Sequence, residues 1–316
     1  MPARMQGVAL VIVLFILAMM TVLIAWLSDD MLLSIRRTEN IRDAEQACQM
    51  AIGSEQWGVA ILNRDGAETQ SDHLNETWHS LGAGVSVEQG GLETVIQDQQ
   101  GLFNLNNLLP EAAEGTADQP VSASVWLPAF KRLLLALELD EGLANAVMDW
   151  LDADANVRGS EGAEDSDYLG QEPPYRAANR MLTDVSELLW IKGFTPEVFA
   201  KLAPYVTALP ATGVAINVNT APRPVLRILG KTVLSASDAD KLLAGQVLDS
   251  GYTVDRFLQH DMMAGEQETA AALIDDKSSF FLIRSTATYG RARLVLRSLV
   301  RRKANKADVI QRQQTY

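Results

Sequence analysis

Residues 8–27 form an apolar segment, VALVIVLFILAMMTVLIAWL, that contains no charge and no proline. A helix of this length rises about 30 Å at about 1.5 Å per residue, which is the thickness of the hydrocarbon core of a bilayer. The segment therefore predicts a membrane anchor near the N-terminus. Everything after it in the chain is expected to be attached to a membrane.

The residues before this segment, MPARMQG, carry one basic residue, Arg4, and end in glycine. A secretory signal has a shorter apolar region of about 7 to 15 residues, followed by a small-x-small cleavage site. The residues 28–30, Ser-Asp-Asp, supply no such site. The small residue positioned for processing is instead Gly7, and cleavage there leaves the apolar helix attached to the product.

This arrangement resembles the leader of type IV prepilins, which is short and basic, ends in glycine and precedes an apolar helix. The resemblance implies processing between Gly7 and Val8, with Val8 as the mature N-terminus. Most of that family has glutamate at the fifth mature position, where this chain has Ile12. A carboxylate in lipid is costly unless it meets a partner. A subunit without it lacks one docking contact, which favours an end position in a filament. An ordinary single-pass anchor is the alternative.

Composition restricts the partners and the means of stabilisation. The 27 Lys and Arg residues and 40 Asp and Glu residues give a formal net charge of −13, which argues against nucleic acid because phosphate binding needs concentrated positive charge. The single cysteine, Cys48, excludes an internal disulfide. An exported domain then needs a good core, a metal ion or partner subunits. The three histidines, His73, His79 and His260, are too far apart in the sequence for a zinc-ligand spacing.

Beyond the anchor, apolar residues at helical spacing predict that the helix continues to about Leu62 and stops at 63–66. The residues 85–87 and 92–96 predict a β-hairpin. The stretch 98–108 alternates apolar and amide residues, as a third strand or the edge of one would. The proline at position 110 then opens a linker.

The second half of the chain is different in kind. Short helical patterns are expected at 125–139, 143–151, 186–191, 197–205, 217–229, 236–248 and 253–260. Strand signals return at 280–288 and 291–300, which predict a closing hairpin with its turn at Tyr289-Gly290. The residues 304–316 show no folding pattern and predict a solvated tail. One long helix, a strand group, a helical insertion and a closing hairpin indicate an α+β unit with an interrupted sheet.

Three stretches narrow the family, and they occur in this order behind the leader. They are GLFNLNNL at 101–108, DWLDAD at 149–154 with GAEDSDY at 162–168, and INVNTAP at 216–222. Together they resemble the K-type minor pseudopilins of the bacterial type II secretion system, also called the general secretion pathway protein K family. The resemblance covers nearly the whole chain, from residue 7 to about 302, and that subfamily is similar in lacking the glutamate at mature position five.

The resemblance implies a type IV pilin-like fold of the α+β class, in which a long N-terminal helix and an antiparallel sheet carry a large inserted α-helical domain. The expected segments are a leader at 1–7, the transmembrane part of the helix at 8–27, the rest of the helix with the first strands at 28–109, the inserted helical domain with an acidic loop at 110–212, a second small helical region of helix-hairpin-helix type at 213–265, a C-terminal hairpin completing the sheet at 266–303 and a polar tail at 304–316.

The resemblance also implies a function without catalysis. The expected role is to cap the tip of the pseudopilus and help start its assembly, for protein secretion across the outer membrane. The implied partners are the I-type and J-type minor pseudopilins, the major pseudopilin and the prepilin peptidase, which would cut after Gly7 and methylate Val8. The chain would be a single-pass protein of the inner membrane with its bulk in the periplasm, and no nucleic acid is expected.

An acidic loop suggests a cation site. Between residues 149 and 167 there are seven carboxylates and one base, Arg158, and such a cluster is destabilising unless a cation balances it. Ca²⁺ takes about six to eight oxygen ligands from flexible loops, although the spacing is not that of an EF-hand. A solvated acidic loop is the alternative, and the family resemblance favours structural calcium. The expected ligands are Asp154, Glu164, Asp165 and Asp167. Asp149 and Asp152 would cap or pair instead, and Asn179 is a candidate for support.

Two other functions are weighed against this one. Abundant carboxylates would suit a membrane-anchored hydrolase, but the sequence offers no Ser/His/Asp or Cys/His constellation, and a cage of protein oxygens favours structure over catalysis. The stretch 217–222, running into 225–230, resembles the start of a DNA-binding helix-hairpin-helix unit, with Asn219 or Thr220 as the N-cap. Its hairpin has one glycine, Gly230, and little positive charge, which favours a packing role.

Overall fold

The computed structural model describes a helix-plus-sheet protein with a helical insertion. The described residues are 3–80, 84–109, 125–247, 250–304 and 306–315, with backbone only for 3–7. Met1 and Pro2 of the predicted leader lie outside them, as does the predicted linker from Pro110 to Gln119.

The described strands are β1 (Val85–Val87), β2 (Gly90–Asp98), β3 (Phe103–Asn104), β4 (Val206–Thr207), β5 (Ile216–Asn217), β6 (Ile274–Asp275), β7 (Phe280–Tyr289), β8 (Ala292–Lys303) and β9 (Lys306–Thr315). The described α-helices are α1 (Ala3–Glu68), α2 (Trp126–Ala136), α3 (Leu143–Leu151), α4 (Asp165–Tyr168), α5 (Pro196–Leu202), α6 (Arg223–Leu226), α7 (Ala236–Gln246), α8 (Val254–Leu258) and α9 (Gln267–Ala271). Short 3₁₀ helices lie at Leu105–Leu108, Val185–Trp190, Ala203–Tyr205 and Asp261–Met263.

Helix α1 is a single element of 66 residues with two different environments. Its apolar part, residues 8–27, is exposed along its whole length and is long and apolar enough to cross a membrane. Farther along, the small residues Ala47 and Ala51 are fully buried against the sheet. Gly58 permits a close approach, because a Cβ there would lie 2.9 Å from Cδ1 of Ile283. The anchor and the first layer of the folded domain are therefore one continuous helix.

The predicted helix stop at 63–66 is too early, because α1 ends at Glu68. Arg64 forms an ion pair with Glu68 at 2.9 Å, in the i,i+4 spacing that stabilises a final turn. Asp65 accepts a hydrogen bond at 3.0 Å from Arg302 of β8. The sequence pattern predicts a turn for these polar residues, but both contacts hold them in a helical conformation.

The main sheet has five antiparallel strands in the order β1-β2-β7-β8-β9. The two predicted hairpins are confirmed: β1 pairs with β2, and β7 pairs with β8 around the turn at Tyr289-Gly290. Strand β2 lies beside β7, so the chain between them, which carries the insertion, leaves and re-enters the sheet at neighbouring positions. Alternate residues of β7 and β8, including Ile283 and Val300, are buried under α1.

The prediction of a solvated tail at 304–316 is wrong. Most of it forms β9, which pairs antiparallel with β8 across a bulge at Leu299/Val300. The strand has no apolar alternation, because only Ala307 in it is buried and Val309 is half-buried. Its backbone hydrogen bonds, and an ion pair from Arg312 to α1, hold it at the edge of the sheet.

The prediction of a third strand at 98–108 is also wrong for most of its length. Strand β2 ends at Asp98, and β3 contains two residues that pair in parallel with β4 of the insertion. The amide residues that alternate in the sequence are buried hydrogen-bonding groups. Asn106 donates to the carbonyls of Leu182 and Leu209 and accepts from the Leu182 amide at 2.7 to 2.9 Å.

The segments predicted as two helical regions, 110–212 and 213–265, share one hydrophobic core. Its buried residues run from Phe103 to Ile274. Helices α2, α3, α5, α7 and α8 appear close to their predicted positions. The stretch 217–229 differs, because it supplies a strand residue, a turn and only the short α6.

The predicted N-cap in this stretch is wrong as well. Pro222 stands at the start of α6, whereas Asn219 is fully buried and exchanges hydrogen bonds with the backbone of Tyr252. Thr220 donates to Asp98 at 2.6 Å. These side chains are used to join β5 to its neighbours, as the packing interpretation expects.

Candidate metal centre

The acidic loop, residues 152–164, connects α3 to α4 above a cluster of aromatic rings. Trp150 and Tyr168 flank the loop and meet edge to face at 5.1 Å between ring centroids. Tyr175 stacks on Tyr168 at 5.2 Å. The packed rings hold the two ends of the loop in place, and they thereby position its carboxylates.

Asp149 organises the loop from inside. Its side chain is fully buried, and its Oδ2 accepts hydrogen bonds from the backbone amides of Arg158 at 3.1 Å and Ala163 at 2.9 Å. The loop closes tightly, because a Cβ on Gly162 would lie 2.3 Å from the same oxygen. Asp149 therefore holds the loop shut, as the capping role expected for it implies.

Asp152 and Asp154 follow α3, and both form ion pairs with Arg158. Asp152 is buried, and its Oδ2 accepts two hydrogen bonds from the guanidinium, from Nε at 3.1 Å and Nη2 at 2.6 Å. Asp154 is exposed, with its Oδ2 3.9 Å from Nη2. Its Oδ1 accepts from the backbone amide of Asn156 at 2.7 Å.

Glu164 closes the group from the other end of the loop. Its side chain is only 4% exposed. One oxygen from each of Asp152, Asp154 and Glu164 can be chosen so that the three lie within 4.8 Å of one another. The structure thus brings together two of the four predicted ligands, Asp154 and Glu164, with Asp152 as the third member.

The other two predicted ligands have protein partners. Asp165 forms an ion pair with Arg176 at 3.1 Å and accepts from the Ala177 amide. Asp167 forms an ion pair with Lys192 at 3.1 Å and accepts from the Glu164 amide at 3.3 Å. These contacts tie α4 to the rest of the insertion.

Three carboxylate oxygens in this region are buried and have no hydrogen-bond partner among the described residues: Asp149 Oδ1, Asp152 Oδ1 and Glu164 Oε1. Of these, Asp149 Oδ1 forms an ion pair with Nε of Arg158 at 3.4 Å. A buried acceptor in this state is costly and calls for a donor or a cation. The set is composed entirely of hard oxygen donors, which suit Ca²⁺ and not the softer metals that prefer nitrogen or sulfur. The residues present therefore fit a calcium ion.

The electrostatics agree with this fit. Burial, followed by the charges of Asp149, Asp152, Asp154 and Asp165, raises the pKa of Glu164 from 4.5 to about 7. Burial likewise raises the pKa of Asp149. By contrast, the hydrogen bond from Lys192 lowers the pKa of Asp167. The centre therefore has an excess of negative charge around Glu164, whereas the charge of Asp167 is already balanced by Lys192.

The sequence predicts capping or pairing for Asp152, which directly follows the predicted helix, and not a role as a ligand. The sequence feature that indicates a ligand here is the spacing Asp149-x-x-Asp152-x-Asp154. The last turn of α3 puts the first two carboxylates on one side, and the chain then leaves the helix before the third.

The comparisons with known proteins decide the family. Sequence profiles described as "Type II secretion system (T2SS), protein K" match residues 101–211 and 216–275. Type II secretion system protein K of Pseudomonas aeruginosa is 33% identical over 318 aligned residues, covering 97% of this chain and 92% of that protein. The chain belongs to the type II secretion system protein K family.

Two further relatives support the assignment. Type II secretion system protein K of Aeromonas hydrophila is 31% identical and covers 98% of this chain and 97% of that protein. The fold matches a chain in the crystal structure of the GspK-GspI-GspJ complex from enterotoxigenic Escherichia coli, with a TM-score of 0.76, 26% identity and coverage of 89% of this chain and 99% of that one.

The resemblance found in the sequence is confirmed by these matches, and so is the α+β pilin-like fold with its helical insertion. The chain is a minor pseudopilin of the type II secretion system. Its apolar helix is compatible with a single-pass anchor. The relatives that it matches are named as secretion-system proteins and not as enzymes.

Proposed function

We propose that this minor pseudopilin caps the tip of the pseudopilus and starts its assembly together with I-type and J-type minor pseudopilins. The observation that carries the proposal is the likeness, over nearly the full length of both chains, to a chain of the GspK-GspI-GspJ complex. The same complex supports the choice of partners.

The position of the insertion favours an end subunit. The insertion joins the rest of the protein near the C-terminal end of α1, where Asn217 of β5 donates to the Asp72 carbonyl at 3.0 Å and to Asp98 at 3.0 Å. The anchor lies toward the opposite end of this 66-residue helix, and its last residue, Leu27, is about 60 Å from Glu68 at about 1.5 Å per residue. A bulky unit at the end remote from the membrane obstructs another subunit from stacking above it.

The N-terminus supports the same position and the expected processing. Cleavage after Gly7 by the prepilin peptidase, with methylation of Val8, gives a mature chain with Ile12 at position five. Without a carboxylate there, the chain cannot neutralise the α-amino group of a neighbouring subunit. The mature protein would sit in the inner membrane with its folded part in the periplasm, and its helix would then pack against the major pseudopilin.

Calcium has a structural role in this proposal. Asp152, Asp154 and Glu164 would hold the ion, and Asp149 would set the shape of the loop around it. The ion would supply the positive charge that the buried oxygens lack. The insertion has no disulfide to constrain it, since the chain contains one cysteine, so we expect the ion to stabilise this end of the tip complex.

The test is co-purification from membranes. The full chain, carrying an affinity tag after Tyr316, is expressed with the I-type and J-type minor pseudopilins of the same bacterium and extracted in detergent. We expect a ternary complex that withstands size-exclusion chromatography, and loss of secretion on deletion of the gene. A chain that purifies alone, together with unchanged secretion in the deletion strain, would contradict the proposal.

A further inference from the structure

A second group of buried carboxylates lies in the pilin-like part of the protein, away from the acidic loop. Asp65 is in the last turn of α1, and Asp72 and Glu76 are in the segment that follows the helix. Their exposed fractions are 7%, 2% and 7%. One oxygen from each can be chosen so that all three lie within 4.8 Å of one another.

One guanidinium balances part of this charge. Arg302 of β8 is buried, donates to Asp65 at 3.0 Å and also donates to both oxygens of Asp72. Its position is fixed by the ring of Phe281, whose centroid lies 4.8 Å from the guanidinium carbon. Three carboxylates against one guanidinium leave two negative charges in formal terms.

Glu76 carries the oxygen that the protein leaves unsatisfied. Its Oε2 accepts from the indole of Trp78 at 2.7 Å and from the backbone amide of His73 at 3.0 Å, which fixes the carboxylate. Its Oε1 is buried and has no hydrogen-bond partner among the described residues. The imidazole Nε2 of His73 is 3.8 Å away, beyond hydrogen-bond distance.

The group also repels its own charge. Burial, followed by the negative charges of Glu76 and Asp72, raises the pKa of Asp65 to about 7 even though Arg302 opposes the shift. A native cluster of this kind is stable when a further cation or a proton completes it.

We propose that Asp65, Asp72 and Glu76 bind a hard divalent cation of the calcium class. Two charges on the ion match the two that Arg302 leaves uncompensated. Oxygens on opposite sides of Ca²⁺ are at most about 4.6 to 5.2 Å apart, from Ca–O distances of about 2.3 to 2.6 Å, and three oxygens within 4.8 Å of one another can therefore bind the same ion. The unsatisfied Oε1 of Glu76 becomes a ligand.

An adjacent cavity supplies a route for the ion and for water ligands. It has a volume of about 350 Å³ and shares Asp72 and Arg302 with the carboxylate group. Hydroxyl and amide side chains line it, among them Thr69, Gln70 and Ser71, together with Lys277, whose Nζ donates to Gln70 at 3.4 Å. Ca²⁺ takes waters among its oxygen ligands, and the hydroxyl and amide oxygens beside Asp72 suit those waters.

The ion would join three parts of the fold. Asp65 belongs to the long helix, Arg302 belongs to the closing hairpin, and Asp72 accepts from the backbone amide of Ser278 at 2.7 Å. Ser278 in turn donates to Asp98 at 2.6 Å, and Asp98 accepts from Asn217 of the insertion. The site would therefore fasten the end of the anchor helix to both the sheet and the insertion.

The test uses terbium(III), a luminescent substitute for calcium, on the full chain in detergent. The background variant Asp154→Asn/Glu164→Gln removes two carboxylates of the acidic loop. We expect this variant to bind one terbium ion that calcium displaces. Because the Trp78 indole is hydrogen-bonded to Glu76, excitation of tryptophan should sensitise the emission. Trp78→Phe in the same background should abolish the sensitised emission and leave the stoichiometry at one ion.

Glu76→Gln in the same background is expected to weaken terbium binding at least tenfold. The matched control is Glu68→Gln, an exposed carboxylate at the end of α1, and it should change nothing. Far-ultraviolet circular dichroism checks that each variant is folded.

Three results would overturn the proposal. They are a background variant that binds no ion, sensitised emission that persists in Trp78→Phe, and a folded Glu76→Gln variant that binds terbium as before. The first result is decisive even if Glu76→Gln does not fold, because the stoichiometry of the background variant does not depend on it. It would leave a proton as the group that completes the cluster.

Discussion

Arg312 in the last strand donates two hydrogen bonds of 2.7 Å each to the carboxylate of Glu55 in the C-terminal part of α1. Glu55 is 1% exposed, and it also accepts from Ser298 of β8. Burial alone would raise the pKa of Glu55, but the hydrogen bonds from Arg312 and Ser298 outweigh burial and lower it. An ion pair thus attaches the C-terminal strand to the helix, although the sequence of the strand has almost no pattern of buried apolar residues.

Replacing Arg312 with Gln should destabilise the protein by about 1 to 2 kcal/mol, because a buried carboxylate then loses its cation while the half-exposed arginine loses little. The folded-state pKa of Glu55 is below 4.5, so this stability is present above about pH 4.5 and is lost as the pH falls through the folded-state pKa. Chemical unfolding of Arg312→Gln and of the control Gln313→Ala at pH 7 measures it. Equal stability of the two variants would contradict the role of the ion pair.

The acidic loop allows two ligand sets to be distinguished. Asp152→Asn should weaken calcium binding by the loop tenfold or more, which is about 1.4 kcal/mol, because it removes a carboxylate that faces Glu164. Asp167→Asn should leave the affinity unchanged and reduce stability by less than about 1 kcal/mol, because it removes the exposed pair with Lys192. Isothermal titration calorimetry of both variants, with the exposed Glu161→Gln as control, makes the comparison. Loss of affinity in Asp167→Asn alone would restore the ligand set expected from the sequence.

The pKa of Glu164 gives the calcium-free protein a characteristic pH dependence. The folded state keeps the proton up to about pH 7, whereas the unfolded chain releases it near 4.5. The free energy of unfolding should therefore fall as the pH rises from about 4.5 to about 7. Calcium should restore stability at the upper end, because the ion replaces the proton.

Thermal unfolding at pH 5 and pH 8, in calcium-free buffer and with excess calcium, measures this effect. Glu164→Gln should show a smaller drop between the two pH values and a smaller gain from calcium than the unaltered chain. An identical drop and an identical gain in both proteins would show that Glu164 does not face the ion.

The buried side chain of Asn106 links two backbone segments of the insertion, at Leu182 and Leu209. Asn106→Leu has a similar size but leaves two carbonyls and one amide of the buried backbone without their partner. We expect a loss of about 2 to 4 kcal/mol, since each unsatisfied buried group costs about 1 to 3 kcal/mol and some reach water after relaxation. Denaturant unfolding compares it with Asn156→Ala in the exposed part of the acidic loop. A loss below about 1 kcal/mol would mean that the amide is not needed to hold the insertion.

Elements with a strong apolar period could be predicted from the sequence. The closing hairpin and helices such as α3 bury alternating or helically spaced apolar side chains, and the anchor is an unbroken apolar run, so the pattern and the structure agree. Strand β9 and the segment after Asp98 could not be predicted, because backbone bonds and buried amides hold them in place. Such contacts join residues about 100 apart in the chain, such as Asn106 and Leu209, and leave no local period.

The candidate metal centre could be predicted only in part, because a local pattern locates the loop but contacts with distant residues decide which carboxylates face the ion. A local excess of carboxylates locates the acidic loop, and it correctly includes Asp154 and Glu164 in the group that the fold brings together. Which carboxylates remain free depends on cations elsewhere in the chain. Asp167 forms an ion pair with Lys192, and Asp165 forms one with Arg176. Neither pairing can be predicted from the sequence of the loop alone.

We expect the apolar helix to stay in the mature protein, where it is used to join a pseudopilus. Intact mass and N-terminal sequencing of the chain extracted from membranes test this expectation directly. The expected result is a chain that begins at Val8 with a methylated amino group. A chain that begins at Met1, or one that begins beyond Leu27, would contradict it.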